Sequence, residues 1–320
     1  MLNVHELNVF IEAALAQNFS VAAQRLCLSQ PAVSLHIRNL EKQLGVDLFE
    51  RKGRKISLSE TGKIMLPLAQ EAVRKVRQIE EAMRSLQGKV IGDLSIACST
   101  TVGKYILPRL VAGFRSKHPD VHVTINVMSR RAAIEWLLAG RAEIAVVSTA
   151  QNHSELEFRP FLEDQIVLIA PAGHPWADGR TVSPEDLLEM PFIMREQTAG
   201  SYQVLAEGLA ACGHNVDQIQ TVLTLSNAEA IEMSVEVGIG VAFVSRVVAE
   251  RRLAVGRIAE VPVRGMALTR TIHMVRHQRY AQTPLQRAFW DFAFDPANAG
   301  IRQMGLEYAA VYGGCIQSEL

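Results

Sequence analysis

Apolar residues recur at spacings of three and four through the first quarter of the chain and then gather into short runs separated by polar stretches. The two patterns predict a helical front and a layered α/β remainder. Leu7, Phe10, Ile11, Ala14 and Leu15 make one stripe, the mark of an amphipathic first helix. Ala22, Ala23 and Leu26 suit a short second helix packed closely on a neighbour, with Ser20 as its expected cap, and Cys27 and Leu28 form a tight connection. Ser29 caps a third helix carrying Pro31 in its first turn, where a missing N–H costs little. Val33, Ile37, Leu40 and Leu44 fix its buried face and Gly45 ends it. The run LFERKGRKISL then reads as two short strands around a turn at Lys52 and Gly53, a basic wing.

From Ser59 to about Gly88 the chain is charged and helical in pattern. Met65, Leu68, Ala72, Val76, Ile79, Met83 and Leu86 form a coiled-coil-like seam, and Pro67 is expected to kink the helix near its start. Such a seam suits either packing within its own domain or a second subunit. Beyond Lys89, strand-like and helix-like segments alternate, which argues for α/β layers with a mainly parallel sheet. GDLSIAC, VHVTINV and EIAVVS read as strands, as do QIVLIAP, PFIM, QTVLTL, GVAFVS and LTRTIHMVRH; helices are expected over 104–117, 130–139, 201–211 and 227–236.

A length of 320 residues calls for two or three compact units. The formal charge of zero hides an asymmetry: residues 1–90 carry 13 Lys+Arg against 9 Asp+Glu, net +4, and the remainder 20 against 24, net −4. A basic front suits an anionic partner. No run approaches 18 apolar residues and the N-terminus lacks a signal-peptide pattern, so no membrane partner and a cytoplasmic place are expected. Cys27, Cys98, Cys212 and Cys315 stand far apart, without metal-ligand spacing, and read as reduced thiols. Gly238 and Gly240 lack the third glycine of a dinucleotide loop and precede a strand. His273 and His277, four apart on a strand, are roughly 13 Å from each other by strand rise, too far for one metal. No nucleophile, base and acid set can be nominated, so neither catalysis, metal nor cofactor is expected.

The third helix presents Gln30, Ser34, Arg38 and Lys42 opposite its buried face. Short polar side chains followed by basic ones are what a helix needs to read base edges and hold phosphates. Residues 22–62, AAQRLCLSQPAVSLHIRNLEKQLGVDLFERKGRKISLSETG, closely resemble the N-terminal signature of LysR-type transcriptional regulators, above all SQPAVS followed by I-x-x-L-E-x-x-L-G-x-x-L-F-x-R. That resemblance implies a winged helix-turn-helix at 1–58 bound to double-stranded promoter DNA. Gln30, Pro31 and Ser34 would lie at base edges, and Arg38, Arg51 and Arg54 at or near phosphates. Leu35 stands where many members carry a basic residue; leucine suits a thymine methyl rather than a guanine.

The resemblance further implies a linker and dimerisation helix at 59–89 and an effector domain at 90–300 like type 2 periplasmic binding proteins, with two Rossmann-like lobes. Lobe 1 would cover about 90–163 and 268–298, lobe 2 about 164–267, with a tail at 301–320. It implies a homo-oligomer, a dimer of dimers, RNA polymerase as a further partner, and a small effector between the lobes. Hydroxyl clusters recur where the family binds effectors, at Ser99, Thr100 and Thr101, at Ser148 and Thr149, and at Thr198 and Ser201. Each cluster also suits a helix cap. Their recurrence points to Ser99, Thr100, Thr101, Thr149, Thr198 and Ser201 as contacts for a small organic or inorganic acid. The peroxide-sensing branch of the family works through two nearby cysteines in the second lobe, where this chain has only Cys212. The stretch STTVGKYILP is similar to members that govern carbon dioxide fixation or sulfur assimilation.

Overall fold

The computed structural model describes residues 2–52, 55–85, 90–148, 153–278 and 282–300; Arg54, Thr149, Leu86 and residues 301–320 lie outside these ranges, as does the side chain of Arg51. The chain divides into two compact units, one built on residues 1–92 and the other on most of the remaining chain.

In the first unit α1 (Val4–Ala16), α2 (Phe19–Arg25) and α3 (Gln30–Leu44) are followed by a hairpin of β1 (Phe49–Lys52) and β2 (Lys55–Leu58), then by α4 (Glu60–Ser85). The stripe of α1 is buried at Leu7, Phe10, Ile11 and Ala14, and packs with Ala22, Ala23, Val33, Ile37 and Leu40. The cap of α2 is Asn18 rather than Ser20: the Asn18 Oδ1 accepts from the N–H groups of Ser20 and Val21, placing Ser20 inside the helix. Cys27 takes the left-handed conformation at φ 55°, which closes the turn into α3 without a glycine. Ser29 Oγ caps α3 by accepting from Ala32 N–H, and Gly45, at φ 70°, ends it. Ser59 joins wing to α4, donating to the Asp47 carbonyl and accepting from Gly62 N–H. Gly62 has to be glycine because a Cβ there would stand 2.1 Å from the Leu48 carbonyl oxygen.

Helix α4 runs through Pro67 as a single element and no described helix is long and apolar enough to cross a membrane. Its apolar residues fall into two stripes, and the buried one runs through Ala69 and Val73, outside the expected seam. Ala69 and Val73 are buried in the core of the first unit with Met65 and Leu66 against them, whereas Ile64, Leu68, Ile79 and Met83 are 57–67% exposed.

The second unit begins with β3 (Gly92–Cys98), a π-helical turn (Val102–Ile106), α5 (Leu107–Lys117), β4 (Val121–Val127), α6 (Arg130–Leu138) and β5 (Ile144–Ser148). It continues with β6 (Leu156–Pro171), α7 (Pro184–Leu188), β7 (Phe192–Arg195), α8 (Gly200–Ala211), β8 (Thr221–Leu225), α9 (Ala228–Glu236) and β9 (Ala242–Ser245). It closes with α10 (Arg246–Ala254), β10 (Ile258–Val261), β11 (Leu268–His277) and α11 (Pro284–Phe294). The sheet is mixed rather than mainly parallel: β3 and β5 are parallel, and β7 and β8 are parallel, but β11 runs antiparallel to both β5 and β6, as do β9 and β10 to β6. The cause is β6, which is 16 residues long and reads as a strand from sequence only at its second half. Along its first part β6 pairs with β11, the register slipping at Pro160, which has no N–H to donate; from Ile166 it pairs with β9 and β10. Side chains of its second half alternate, Ile166, Leu168 and Ala170 entering one core with α8, Val167 and Ile169 another with α9 and α10.

Candidate functional site

Two places collect the residues that sequence reasoning singled out. The first is the outer face of α3. Gln30, Pro31, Leu35 and Arg38 are exposed, Leu35 by 53%, and Ser34 is half-buried among them. Gln30 Nε2 donates to Ser34 Oγ at 2.8 Å, and Arg38 Nε donates to the Ser34 carbonyl at 3.2 Å. This leaves the Gln30 carbonyl oxygen and most of the Arg38 fork open to a partner. The face is held against the wing by Glu41, whose Oε1 accepts from Leu48 N–H at 2.8 Å and Phe49 N–H at 3.3 Å. Truncation in Glu41→Ala leaves both donors without their acceptor and is expected to cost about 2 kcal/mol, with Glu41→Gln, which keeps an acceptor oxygen, losing less than half of that. Urea unfolding of both variants checks the ordering. Arg51 lies on β1, and Arg54 lies outside the described residues.

The second place is a cavity of about 250 Å³ in the second unit. Of the proposed effector contacts, Ser99, Thr100, Thr101, Thr198 and Ser201 line it together; Thr149 lies outside the described residues. Three helix N-terminal ends reach it, at Thr100, at Arg130 of α6 and at Gly200 of α8, and the partial positive charge of such ends favours an anion. Ala199, which precedes α8, offers no side-chain capping bond. Gly200 also sets the cavity's width, since a Cβ there would fall 2.4 Å from Ser148 Oγ and 3.1 Å from a terminal nitrogen of Arg270.

Sequence reasoning missed the charged part of this lining. Arg130, Arg195, Glu196 and Arg270 face the cavity along with Ser129 and Ser226. Arg195 donates to both oxygens of Glu196, at 2.9 and 3.0 Å. Arg270 donates through Nε at 2.8 Å and a terminal nitrogen at 2.6 Å to one oxygen of fully buried Asp164, whose other oxygen accepts from Ser245 Oγ at 2.5 Å. Asp164 and Arg270 are 106 positions apart and meet only because β6 and β11 pair in that register. Arginines scattered over a helix start, a strand end and the body of a strand carry no local signal that could have revealed them.

Behind the cavity the π-helical turn approaches β3 and β4 so closely that a Cβ on Gly103 would stand 2.7 Å from Cys98 Sγ. Burial pushes the Cys98 thiol up to about 12, which disfavours a thiolate there. Lys104 and Tyr105 reach Glu229 on α9 at 2.9 and 3.1 Å. Burial acts to raise the Glu229 carboxyl, but the bond from Lys104 and its neighbours outweighs it and holds the group below its ordinary value. Burial is also the chief cause raising the Tyr105 phenol, with Glu229 adding to it.

Residues 4–63 match the family model described as the bacterial regulatory helix-turn-helix protein, lysR family, and residues 87–295 match the LysR substrate binding domain. The chain is 30% identical over 296 residues, 92% of its length and 97% of the relative's, to the RuBisCO operon transcriptional regulator of Allochromatium vinosum. Among solved structures it is similar to a full-length OxyR variant from Pseudomonas aeruginosa, with a TM-score of 0.70 and 22% identity over 92% of this chain and 94% of that one. It is also similar to the regulatory domain of CcmR from Synechocystis PCC6803 in complex with 2-PG, with a TM-score of 0.57 and 23% identity over 63% and 95% of the two chains. The chain therefore belongs to the LysR family: it is a DNA-binding transcriptional regulator with an effector-binding domain, and not an enzyme.

Proposed function

We propose that this regulator binds an interrupted-palindrome promoter site as a homo-oligomer and changes transcription when a small acid occupies the cavity at Ser99, Thr100, Thr101, Thr198 and Ser201. The exposed polar face of α3 carries the reading, because Gln30, Ser34 and Arg38 lie on successive turns of a helix whose other side is fixed in a core. In this reading Gln30, Pro31, Ser34 and Leu35 meet base edges, and Arg38, Arg51 and Arg54 hold phosphates. Residues 1–58 form the winged helix-turn-helix and 59–89 the linker. Residues 90–300 form the effector domain, its lobes exchanging at Asp164 and Leu268, and 301–320 follow as a tail. Thr149, one position beyond β5, belongs to the same effector set.

Small acids suit the cavity because helix ends, hydroxyls and guanidinium groups dominate its lining. The similarity to a regulatory domain that holds 2-PG agrees with that choice. Effector binding shifts an equilibrium between two arrangements of the subunits, by no more than its difference in affinity for them. Pairing through the linker helices gives dimers and their association a tetramer, with RNA polymerase as the further partner and the cytoplasm, where promoter DNA is found, as the place of action.

Selection of bound duplexes from a random pool tests the DNA half of this reading. The full chain is expected to enrich a two-fold interrupted site, with affinity falling steeply as salt rises. Gln30→Ala and Ser34→Ala are expected to relax preference at the base pairs they meet, at a cost of about 1–3 kcal/mol each. Enrichment of the same site with unchanged preference by both variants would remove α3 as the reading element.

A further inference from the structure

The three arginines of the cavity differ in what already occupies them. Arg195 is paired with Glu196 and Arg270 with Asp164. Arg130, the first residue of α6, lines the same cavity half-buried, and among the described residues it has no carboxylate partner. Three guanidinium groups against two carboxylates leave a surplus of one positive charge, and three helix N-terminal ends add to it. Among the described residues eight that bear hydroxyls contribute to the lining, far more donors than the two oxygens of a carboxylate can accept. Among the described residues apolar side chains come only from Val127, Met128 and Ala199, and the volume of about 250 Å³ lies below the usual range of about 300–1,000 Å³ for ligand pockets.

We propose that the effector presents a dianionic tetrahedral oxyanion, either a phosphate monoester or a free phosphate or sulfate ion, and that Arg130 is the residue that selects it over a monocarboxylate. This rests on the reading of the cavity as the effector site. A tetrahedral group carries three or four oxygens to share among hydroxyls and N–H groups. The planar fork of Arg130 can take two of them at once, which an ammonium in the same place cannot. A single carboxylate would neutralise the surplus charge but leave most hydroxyls with nothing to donate to.

Calorimetric titration of the full-length chain with phosphoglycolate, inorganic phosphate, sulfate and glycolate at constant ionic strength tests the inference. At least one oxyanion probe is expected to bind tenfold or more tighter than glycolate. Phosphoglycolate ahead of the inorganic ions identifies an ester, and the reverse order a free ion. Arg130→Gln is expected to weaken that probe by tenfold or more and to abolish its advantage over glycolate, while Arg130→Lys recovers only part. Arg131→Gln, at a 90% exposed side chain already paired with Glu135, is expected to change nothing. Glycolate binding as tightly as every oxyanion probe, or no probe binding, would overturn the oxyanion class. If Ser99→Ala weakens binding while Arg130→Gln leaves it unchanged, this inference falls and the effector site stands. If Ser99→Ala, Thr101→Ala and Arg130→Gln all leave a tight affinity unchanged, both fall.

Discussion

Replacement of Asp164 by alanine is expected to destabilise the second unit by about 3–5 kcal/mol. Asp164 is fully buried on β6 and accepts from Arg270 on β11 and Ser245 on β9, so one carboxylate gathers three strands. Arg270 is 10% exposed at its side chain and would remain charged and largely out of water, with no acid beside it. A buried ion pair need not add net stability, but removal of one partner leaves the other uncompensated, and that penalty is what the variant measures. Thermal unfolding of the wild type and Asp164→Ala is expected to show a fall of about 10 °C in the transition of the second unit, with the transition of the first unit unmoved. The double variant Asp164→Leu with Arg270→Met is expected to regain much of the loss, since it removes the stranded charge, while losing the guanidinium that faces the cavity. A loss below about 1 kcal/mol in Asp164→Ala would show that Arg270 finds water or another acceptor and that the pair does not organise the strand crossing.

That pair also marks where sequence reasoning reaches its end. The first unit was legible almost residue by residue, because helix stripes, a Ser29 cap, a Gly45 stop and a basic hairpin are all local signals. Its one misplaced cap arose from Asn18 and Ser20 being equally good residue types two positions apart, and only backbone geometry decides between them. In the second unit the short buried strands β3, β5 and β11 stood out as apolar or alternating runs. The first half of β6 did not, since LEFRPFLED carries four charged residues and a proline. It is a strand because β11 lies alongside it, and pairing between partners more than 100 positions apart leaves no periodic trace. The proposed effector site divides in the same way. Hydroxyls at strand ends before helices were visible as a recurring local motif, whereas Arg130, Arg195 and Arg270 are ordinary surface residue types until the fold brings them to one cavity.

The exposed stripe of α4 leads to the second large effect. A helix of 26 residues is about 39 Å long at 1.5 Å per residue, and it shows one apolar face to its own core and another to solvent. Ile64, Leu68, Ile79 and Met83 fall at spacings of four, eleven and four, which keeps them on one side of a helix of 3.6 residues per turn. An apolar stripe of that length on a charged helix is unusual for a surface with no partner. If subunits pair through α4 as proposed, placing a carboxylate at two of its positions, Leu68→Asp with Ile79→Asp, is expected to dissociate them, because each charge would be buried against the second copy. Both sites are exposed in the single chain, so folding of each unit is expected to change little, and circular dichroism and effector titration serve as controls. Affinity for a two-fold DNA site is expected to fall by a hundredfold or more, since one reading head then binds without the high local concentration of the other. Sedimentation of the double variant, read beside its affinity for full and half sites, makes the test. Wild-type sedimentation would move the subunit contact away from α4. A dissociated chain that still distinguishes full from half sites would show that the two heads are not coupled through this helix.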